Sequence, residues 1–122
     1  MTDQRDQPSL DELAARLAEF ARERDWDQFH APKNLAMALA GEVGELLEHF
    51  QWLSEQQSAN LPAEVKDAVA LEMADVLLYL VRLADKLEID LAAAAVRKIG
   101  LNAVKYPVER FRGSSRKYDD PA

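Results

Sequence analysis

The sequence predicts an all-α protein, and three observations lead to that prediction. Leucine and alanine dominate a chain of 122 residues that contains only four glycines. Apolar residues recur at intervals of three and four, which is the spacing of one face of a helix. No segment shows the sustained period-2 alternation of β-branched residues that is typical of strands. We therefore expect a four-helix bundle in one domain, residues 1–122, with a helical core at about 9–107 and a basic, irregular tail at 108–122.

The first helix is predicted to begin after Ser9 and to end near Arg24. Ser9 and Glu12 have the spacing of a capping box. An apolar stripe follows this signal and consists of Leu10, Leu13, Leu17 and Phe20. Residues 25–30 lack helical periodicity, so we expect a connecting loop that carries two aromatic residues.

The second helix is predicted to run from Pro32 to about Leu53, because proline suits the first turn of a helix. Its expected buried face consists of Leu35, Leu39, Val43, Leu46, Leu47 and Phe50. Residues 54–60 are polar and are expected to form a loop.

The third helix is predicted from near Pro62 to Leu87, and a fourth should follow Asp90, which suits an N-cap. The expected buried face of the third helix consists of Val65, Val69, Met73, Val76, Leu80 and Leu83. In the fourth helix the residues expected to face inward are Leu91, Ala94, Ala95, Ile99 and Leu101. Tyr106 and Pro107 should end it.

Composition excludes several classes of function. A formal net charge of −7 argues against general binding to duplex nucleic acid, whose affinity comes mainly from lysine and arginine. No apolar run approaches the roughly 18 residues that a membrane span requires. Residues 2–7 are polar and do not resemble a secretion signal, and the chain has no cysteine, so we expect a cytoplasmic protein. Five basic residues near the C-terminus reverse the local charge and could contact a small polyphosphate: Lys105, Arg110, Arg112, Arg116 and Lys117.

Two pairs of carboxylates carry the main chemical signal. Glu42 and Glu45 are three residues apart on the second predicted helix, and Glu72 and Asp75 repeat that spacing on the third. Residues at this spacing lie on the same helix face. If the two helices pack antiparallel, four carboxylates can converge, and their repulsion would be tolerable only with a cation between them. Mg²⁺ is the natural candidate because it prefers carboxylate oxygen, and Mn²⁺ could substitute.

The competing interpretation is that these acids lie on ordinary solvated helix faces, as most glutamates do. Their small and apolar neighbours argue against it. Gly41 and Gly44 each cost about 1 kcal/mol in a helix interior, which suggests the close approach of another element or a ligand. A di-iron bundle would need Glu-x-x-His on two helices, and the chain has none. His49 follows Glu45 by four residues and is expected at the surface.

A longer series of motifs runs through the chain from about residue 10 to residue 118. It comprises Glu23 to His30 (ERDWDQFH), Pro32, Asn34, Gly41 to Leu46 (GEVGEL), Phe50 to Trp52 (FQW), Glu72-x-x-Asp75 with Val76, Leu77, Tyr79 and Leu80, Lys98 with Asn102, and Ser114 to Tyr118 (SSRKY). This series closely resembles dCTP pyrophosphatases of the MazG-like, all-α superfamily.

The resemblance implies hydrolysis of a nucleoside triphosphate, dCTP or a modified dCTP above all, to the monophosphate and pyrophosphate, as in nucleotide-pool clean-up. It also implies that Glu42, Glu45, Glu72 and Asp75 hold Mg²⁺. We expect Glu45 to act as the base and Lys98 to stabilise charge on the phosphates. The remaining substrate contacts are expected from Trp26, His30, Asn34, Trp52, Tyr79, Asn102, Ser115, Arg116 and Lys117. For the aromatic residues and for His30, packing is the alternative role. The family is oligomeric, which implies a homodimer or homotetramer.

Two positions depart from the superfamily pattern. Many members have a glutamate where this chain has Gly41, so the number of metal ions stays open. The first helix of dCTP pyrophosphatases can contribute a histidine to the base pocket, and the corresponding position here is Leu17, which leaves the preferred base open. The alternative class of function is a non-catalytic acidic helical adaptor that only dimerises. Binding of Mg²⁺ and nucleotide would distinguish the enzyme from the adaptor.

Overall fold

The computed structural model describes residues 7–121, and helices are the regular secondary structure of this range. The α-helices are α1 (Leu10–Glu23), α2 (Pro32–Glu48), α3 (Glu55–Ala59), α4 (Ala63–Lys86), α5 (Leu91–Lys105) and α6 (Val108–Phe111), and a 3₁₀ turn spans Asp27–Phe29. No strand occurs among the described residues. The predicted all-α class and its four long helices are therefore confirmed. The polar N-terminal stretch that argued against a secretion signal lies outside the described residues, apart from Gln7.

Side-chain hydrogen bonds cap the N-termini of α1 and α5 at the positions predicted from the sequence. The Ser9 hydroxyl accepts the Glu12 N–H at 3.2 Å, and the Asp90 carboxylate accepts the Ala93 N–H at 3.0 Å. Both side chains satisfy a backbone donor that has no partner within its helix, which is why α1 and α5 begin where the sequence indicated.

Two predicted boundaries are wrong, and the same segment contains both. Helix α2 ends at Glu48 instead of near Leu53, because the chain tightens into turns with N–H groups bonded three residues back. The predicted loop 54–60 contains α3. Ser54 and Gln57 form a reciprocal capping box there: each side chain accepts the other residue's backbone N–H, at 3.1 and 2.9 Å.

The chain divides into two compact units, one that ends at Ile89 and one that begins at Asp90. The prediction that residues 1–122 form a single domain stays a prediction. In the first unit, α4 packs against both α2 and α1. The buried apolar residues of this unit are Ala21, Leu35, Val69, Val81 and Ala84. The long helix α4 is therefore the element on which the first unit is assembled.

Three residues predicted to be buried in the first unit are exposed. The exposed fractions are 47% for Val43, 55% for Leu47 and 57% for Met73. Most residues of the predicted inward faces are buried or partly buried, but Glu42 and Glu72 are partly buried as well, whereas their neighbours Val43 and Met73 are exposed. The apolar pattern thus predicted the correct helices but was wrong in assigning Val43, Leu47 and Met73 to the core.

The second unit is held by aromatic contacts. The ring of Tyr106 meets the rings of Phe111 and Tyr118 edge to face, with centroids 4.9 and 6.0 Å apart. The predicted irregular tail therefore contains the short helix α6 and an anchored Tyr118. The predicted inward face of α5 is wrong for four residues, since only Leu91 is partly buried and the others, Ala94, Ala95, Ile99 and Leu101, are exposed. The small second unit does not supply enough apolar surface to cover them.

Candidate functional site

Three carboxylates from two helices meet where α2 packs against α4. One oxygen from each of Glu42, Glu45 and Glu72 lies within 4.8 Å of the other two. Glu42 and Glu72 are partly buried, whereas Glu45 is exposed. The carboxylates are held in place by the helices that carry them, because the packing of α2 on α4 fixes both backbones.

Two oxygens of this cluster have no partner. Glu42 Oε2 and Glu72 Oε2 are buried and make no hydrogen bond within residues 7–121. A buried carboxylate oxygen without a partner is costly, and buried acidic groups are normally paired or coordinate a metal. The orphaned oxygens therefore point to a positive ligand between the two helices.

The electrostatics of the cluster support the same conclusion. The pKa of Glu42 is raised to about 7, and desolvation is the largest cause. The close approach and negative charge of Glu45 add to the shift, and the charges of Asp75 and Glu72 contribute less. Desolvation, followed by the charge of Glu45, also raises the pKa of Glu72. Both shifts are due first to desolvation and then to neighbouring negative groups, and His49 partly offsets them at Glu72. Three carboxylate oxygens that meet at one place, two of them from groups with a raised pKa, form a donor set that suits a hard divalent cation.

Asp75, the fourth predicted ligand, lies one turn beyond Glu72 on α4 and is exposed. Its oxygens are not part of the three-carboxylate cluster. Its charge nevertheless raises the pKa of both Glu42 and Glu72, so it lies within electrostatic reach. Asp75 also lines a neighbouring cavity and thereby connects the carboxylates to it.

That cavity has a volume of about 440 Å³ and is lined by α1, α2, α4 and the segment that connects α1 to α2. This is within the usual range for small-molecule sites, about 300–1,000 Å³. Its walls are mostly apolar and aromatic: Leu13, Arg16, Leu17, Phe20, Ala21, Trp26, His30, Leu35, Asp75, Leu78, Tyr79 and Arg82. Trp26, His30 and Tyr79, all predicted to contact substrate, are thus brought together around one space. Leu17, which was named above as a departure from the superfamily pattern, also lines this cavity.

The other predicted substrate contacts lie elsewhere. Trp52 is 85% exposed in the turn after α2 and does not line the cavity. The Asn34 side chain donates to the Phe29 carbonyl at 3.2 Å, so its observed contact holds the segment that precedes α2. The substrate roles of both residues stay predictions.

The sugar and phosphate contacts predicted from the resemblance all belong to the second unit. Lys98 and Asn102 are exposed and lie one turn apart on the same face of α5. Ser115, Arg116 and Lys117 follow α6 and are also exposed. The Arg116 guanidinium donates to the Ser114 hydroxyl and to the Pro121 carbonyl, both at 3.3 Å. The roles of these residues stay predictions.

The open space beside the two glycines of α2 removes one of the two explanations expected for them, the close approach of another element of the described chain, and leaves the approach of a ligand a prediction. A side chain at Gly41 or Gly44 would meet no atom of residues 7–121 within 4 Å, so no element of the described chain approaches them closely. The glycines therefore do not serve helix packing within the described chain.

One cavity residue, Arg82, was not foreseen from the sequence. It is only 5% exposed, although arginine is rarely buried without charged partners. The available signal was its position, as the only charged residue in the apolar run 76–84 of α4. Sequence reasoning could have flagged it as a buried cation that requires partners.

Comparisons with known proteins identify the family of this chain. A model of the MazG-like family matches residues 38–120. The chain is 47% identical over 116 residues to dCTP pyrophosphatase 1 of Rattus norvegicus, covering 93% of this chain and 68% of the relative. It is 45% identical over 116 residues to dCTP pyrophosphatase 1 of Homo sapiens, covering 93% and 68% respectively.

Among solved structures, a pyrophosphatase from Archaeoglobus fulgidus DSM 4304 superposes with a TM-score of 0.76 and 40% sequence identity, covering 88% of this chain and 98% of that one. The matched region of the family model includes all of α4 and the part of α2 that carries Glu42 and Glu45. Sequence, fold and carboxylate geometry lead to one conclusion: this chain belongs to the MazG-like family.

Proposed function

We propose that this protein is a Mg²⁺-dependent nucleoside triphosphate pyrophosphohydrolase that converts dCTP, or a modified dCTP, to the monophosphate and pyrophosphate. The observation that carries the proposal is the three-carboxylate cluster, with its two orphaned buried oxygens, next to an aromatic cavity. The relatives named dCTP pyrophosphatase 1 and the archaeal pyrophosphatase support the reaction class.

Glu42, Glu45 and Glu72 fit a divalent cation by their oxygen chemistry, and Asp75 would complete the set. Mg²⁺ is the preferred ion and Mn²⁺ a substitute, because both accept carboxylate oxygens and leave positions for phosphate. Bound there, the ion would supply charge neutralisation for the triphosphate, which is its usual contribution to phosphoryl transfer.

Within the three-carboxylate cluster, Glu45 is the carboxylate that is open to water. Glu42 and Glu72 are partly buried, whereas Glu45 is exposed and so is open to a solvent molecule. A carboxylate in this position orients the water and accepts its proton as the oxygen attacks phosphorus in line with the departing pyrophosphate. Lys98 and Arg116, as the resemblance implies, would donate to phosphate oxygens as negative charge accumulates on the leaving group.

The cavity suits a nucleobase. Trp26 is 45% exposed, so part of its ring is free to stack, and the edge of that ring packs against Phe20 with centroids 5.7 Å apart. Tyr79 contributes a second aromatic ring to the wall. Stacking on an aromatic side chain contributes about 1–3 kcal/mol per base, which would add to the affinity that the phosphate contacts provide.

The test is turnover of dCTP by Glu45→Gln, with Glu48→Gln as the matched control. Glu48 is an exposed glutamate on the same helix and is not in the cluster. At saturating Mg²⁺ we expect Glu45→Gln to retain less than about a tenth of the wild-type rate and Glu48→Gln to retain nearly all of it, with unchanged helical content. Equal rates for the two variants would refute the assignment. Absence of dCTP hydrolysis in the wild type, together with dimerisation, would favour the adaptor.

We also propose that the protein is a cytoplasmic homodimer or homotetramer. Large apolar side chains are exposed on α2 and on α4: the exposed fraction is 64% for Met37 and 64% for Leu71. Such surface is typical of an interface between copies. No helix in the described chain is long and apolar enough to cross a membrane. Light scattering during size-exclusion chromatography measures the assembly, and a monomer at micromolar concentration would contradict the proposal.

A further inference from the structure

A buried guanidinium lies between the cavity and the segment that connects α1 to α2. The side chain of Arg82 on α4 is 6% exposed. One terminal nitrogen donates to Asp27 Oδ1 at 2.7 Å, and the other is 3.5 Å from Asp85 Oδ2. Its Nε donates to His30 Nδ1 at 3.1 Å. Asp27 and His30 both belong to the connecting segment, which also carries Trp26.

The chemistry of this contact determines the state of the imidazole. A guanidinium can only donate, so His30 Nδ1 must accept and carries no proton. The neutral ring therefore holds its proton on Nε2. Because Nδ1 is occupied, a half-turn of the ring would break the hydrogen bond, and its orientation is fixed as well.

The surrounding charges keep the ring neutral. Burial, followed by the positive charge of Arg82, lowers the pKa of His30, and the Lys86 charge acts in the same direction. Asp27 opposes them, but its Oδ1 is already shared between Arg82 and Lys86, at 2.7 and 2.9 Å. The net result is an uncharged hydrogen-bond donor in the cavity wall.

We propose that Arg82 is a positioning residue of the nucleotide site, which holds His30 so that its Nε2–H donates to an acceptor atom of the bound base. The inference rests on the proposed function, because it assigns the cavity to the base. His30 and Arg82 both line that cavity, and Nε2–H is the polar group of the ring that remains for a ligand. Cytosine offers such acceptors at O2 and at unprotonated N3.

The experiment is a double-mutant cycle on the affinity for dCMP, measured by calorimetry with the full chain and Mg²⁺. His30→Phe keeps an aromatic ring and removes the donor, and Arg82→Met removes the orienting group. Each should weaken binding about three- to tenfold, the usual effect of one lost hydrogen bond. The double variant should bind no more weakly than either single one, because Arg82 acts through His30. Asp85→Asn is the control, because it alters the 3.5 Å contact of a terminal nitrogen of Arg82 and not the hydrogen bond from Nε to His30. The affinity of this variant for dCMP should equal that of the wild type.

A spectroscopic measurement separates positioning from structural support. In wild-type protein the imidazole ¹⁵N resonances of His30 should report a proton on Nε2, and that resonance should shift when dCMP binds. In Arg82→Met the shift should be lost. Arg82→Lys, which keeps a cation near Asp27 but cannot reproduce the guanidinium fork, serves the same cycle if the methionine variant does not fold.

Distinct outcomes identify which idea fails. Additive losses in the double variant, or full affinity in His30→Phe, overturn the positioning role and leave the proposed function intact. Absence of both dCMP binding and dCTP turnover in the wild type overturns both ideas, whereas dCTP turnover with normal dCMP affinity in every variant overturns the positioning role alone.

Discussion

Binding of Mg²⁺ should release protons from the carboxylate cluster. The number released per ion should depend on pH, because it depends on how much of the cluster is protonated beforehand. Without a cation the pKa of Glu42 is raised to about 7, so the group is protonated for part of the neutral range. Metal binding requires the ionised form. Taking that pKa, Mg²⁺ should displace about 0.9 proton from Glu42 at pH 6, about 0.5 at pH 7 and about 0.1 at pH 8.

Calorimetric titration of Mg²⁺, without nucleotide, in two buffers with different ionisation enthalpies measures this number directly. Glu42→Gln should lose most of the release at pH 6, whereas Glu48→Gln, outside the cluster, should behave as the wild type. A release at pH 6 that is near zero, or that does not fall between pH 6 and pH 8, would refute the view that the orphaned carboxylates receive the cation.

The same shift predicts how pH affects the stability of the metal-free protein. The pKa of Glu42 is about 7 when folded, against an ordinary value of 4.5. Between these values the folded chain binds more protons than the unfolded chain, so the contribution of Glu42 to the free energy of unfolding is full below about pH 4.5 and is lost as pH rises to about 7. Thermal melts in EDTA should therefore show a smaller pH-dependent loss in Glu42→Gln than in wild type. Equal pH dependence in the two proteins would contradict the shift.

Three further predictions concern other parts of the chain. Trp26→Ala should raise the KM for dCTP by about tenfold, consistent with one lost stacking contact. Trp52→Ala should leave the melting temperature unchanged, because the ring is exposed, so any rise in the KM of this variant reports a lost stacking contact. Gly41→Ala should stabilise the chain by about 0.5–1 kcal/mol in a denaturant melt, since a side chain there meets open space. Loss of stability would reveal an approach to Gly41 by another molecule. Truncation after Phe111 removes the basic residues and Tyr118, and should weaken triphosphate binding more than monophosphate binding; an equal, small loss would mean that the tail does not contact phosphate.

The sequence by itself determined the four long helices and the type of residue in the cluster, because both depend on local spacing. Caps such as Ser9 and Asp90 act within one turn, so their effect can be read from a few residues. The three-residue spacing of Glu42 and Glu45 places them on one face of any helix that contains them. The family resemblance followed from the same ordered motifs, and the comparisons confirm it.

Only the tertiary structure decided which groups are buried and what they meet. Apolar periodicity assigned Val43 and Met73 to the core, yet the packing of α2 on α4 turns Glu42 and Glu72 inward and leaves those neighbours exposed. The contact of Arg82 with the segment before α2 joins residues more than 50 positions apart. Burial and long-range pairing depend on how helices are arranged in space, and a one-dimensional pattern records the faces of helices but not the surfaces that cover them.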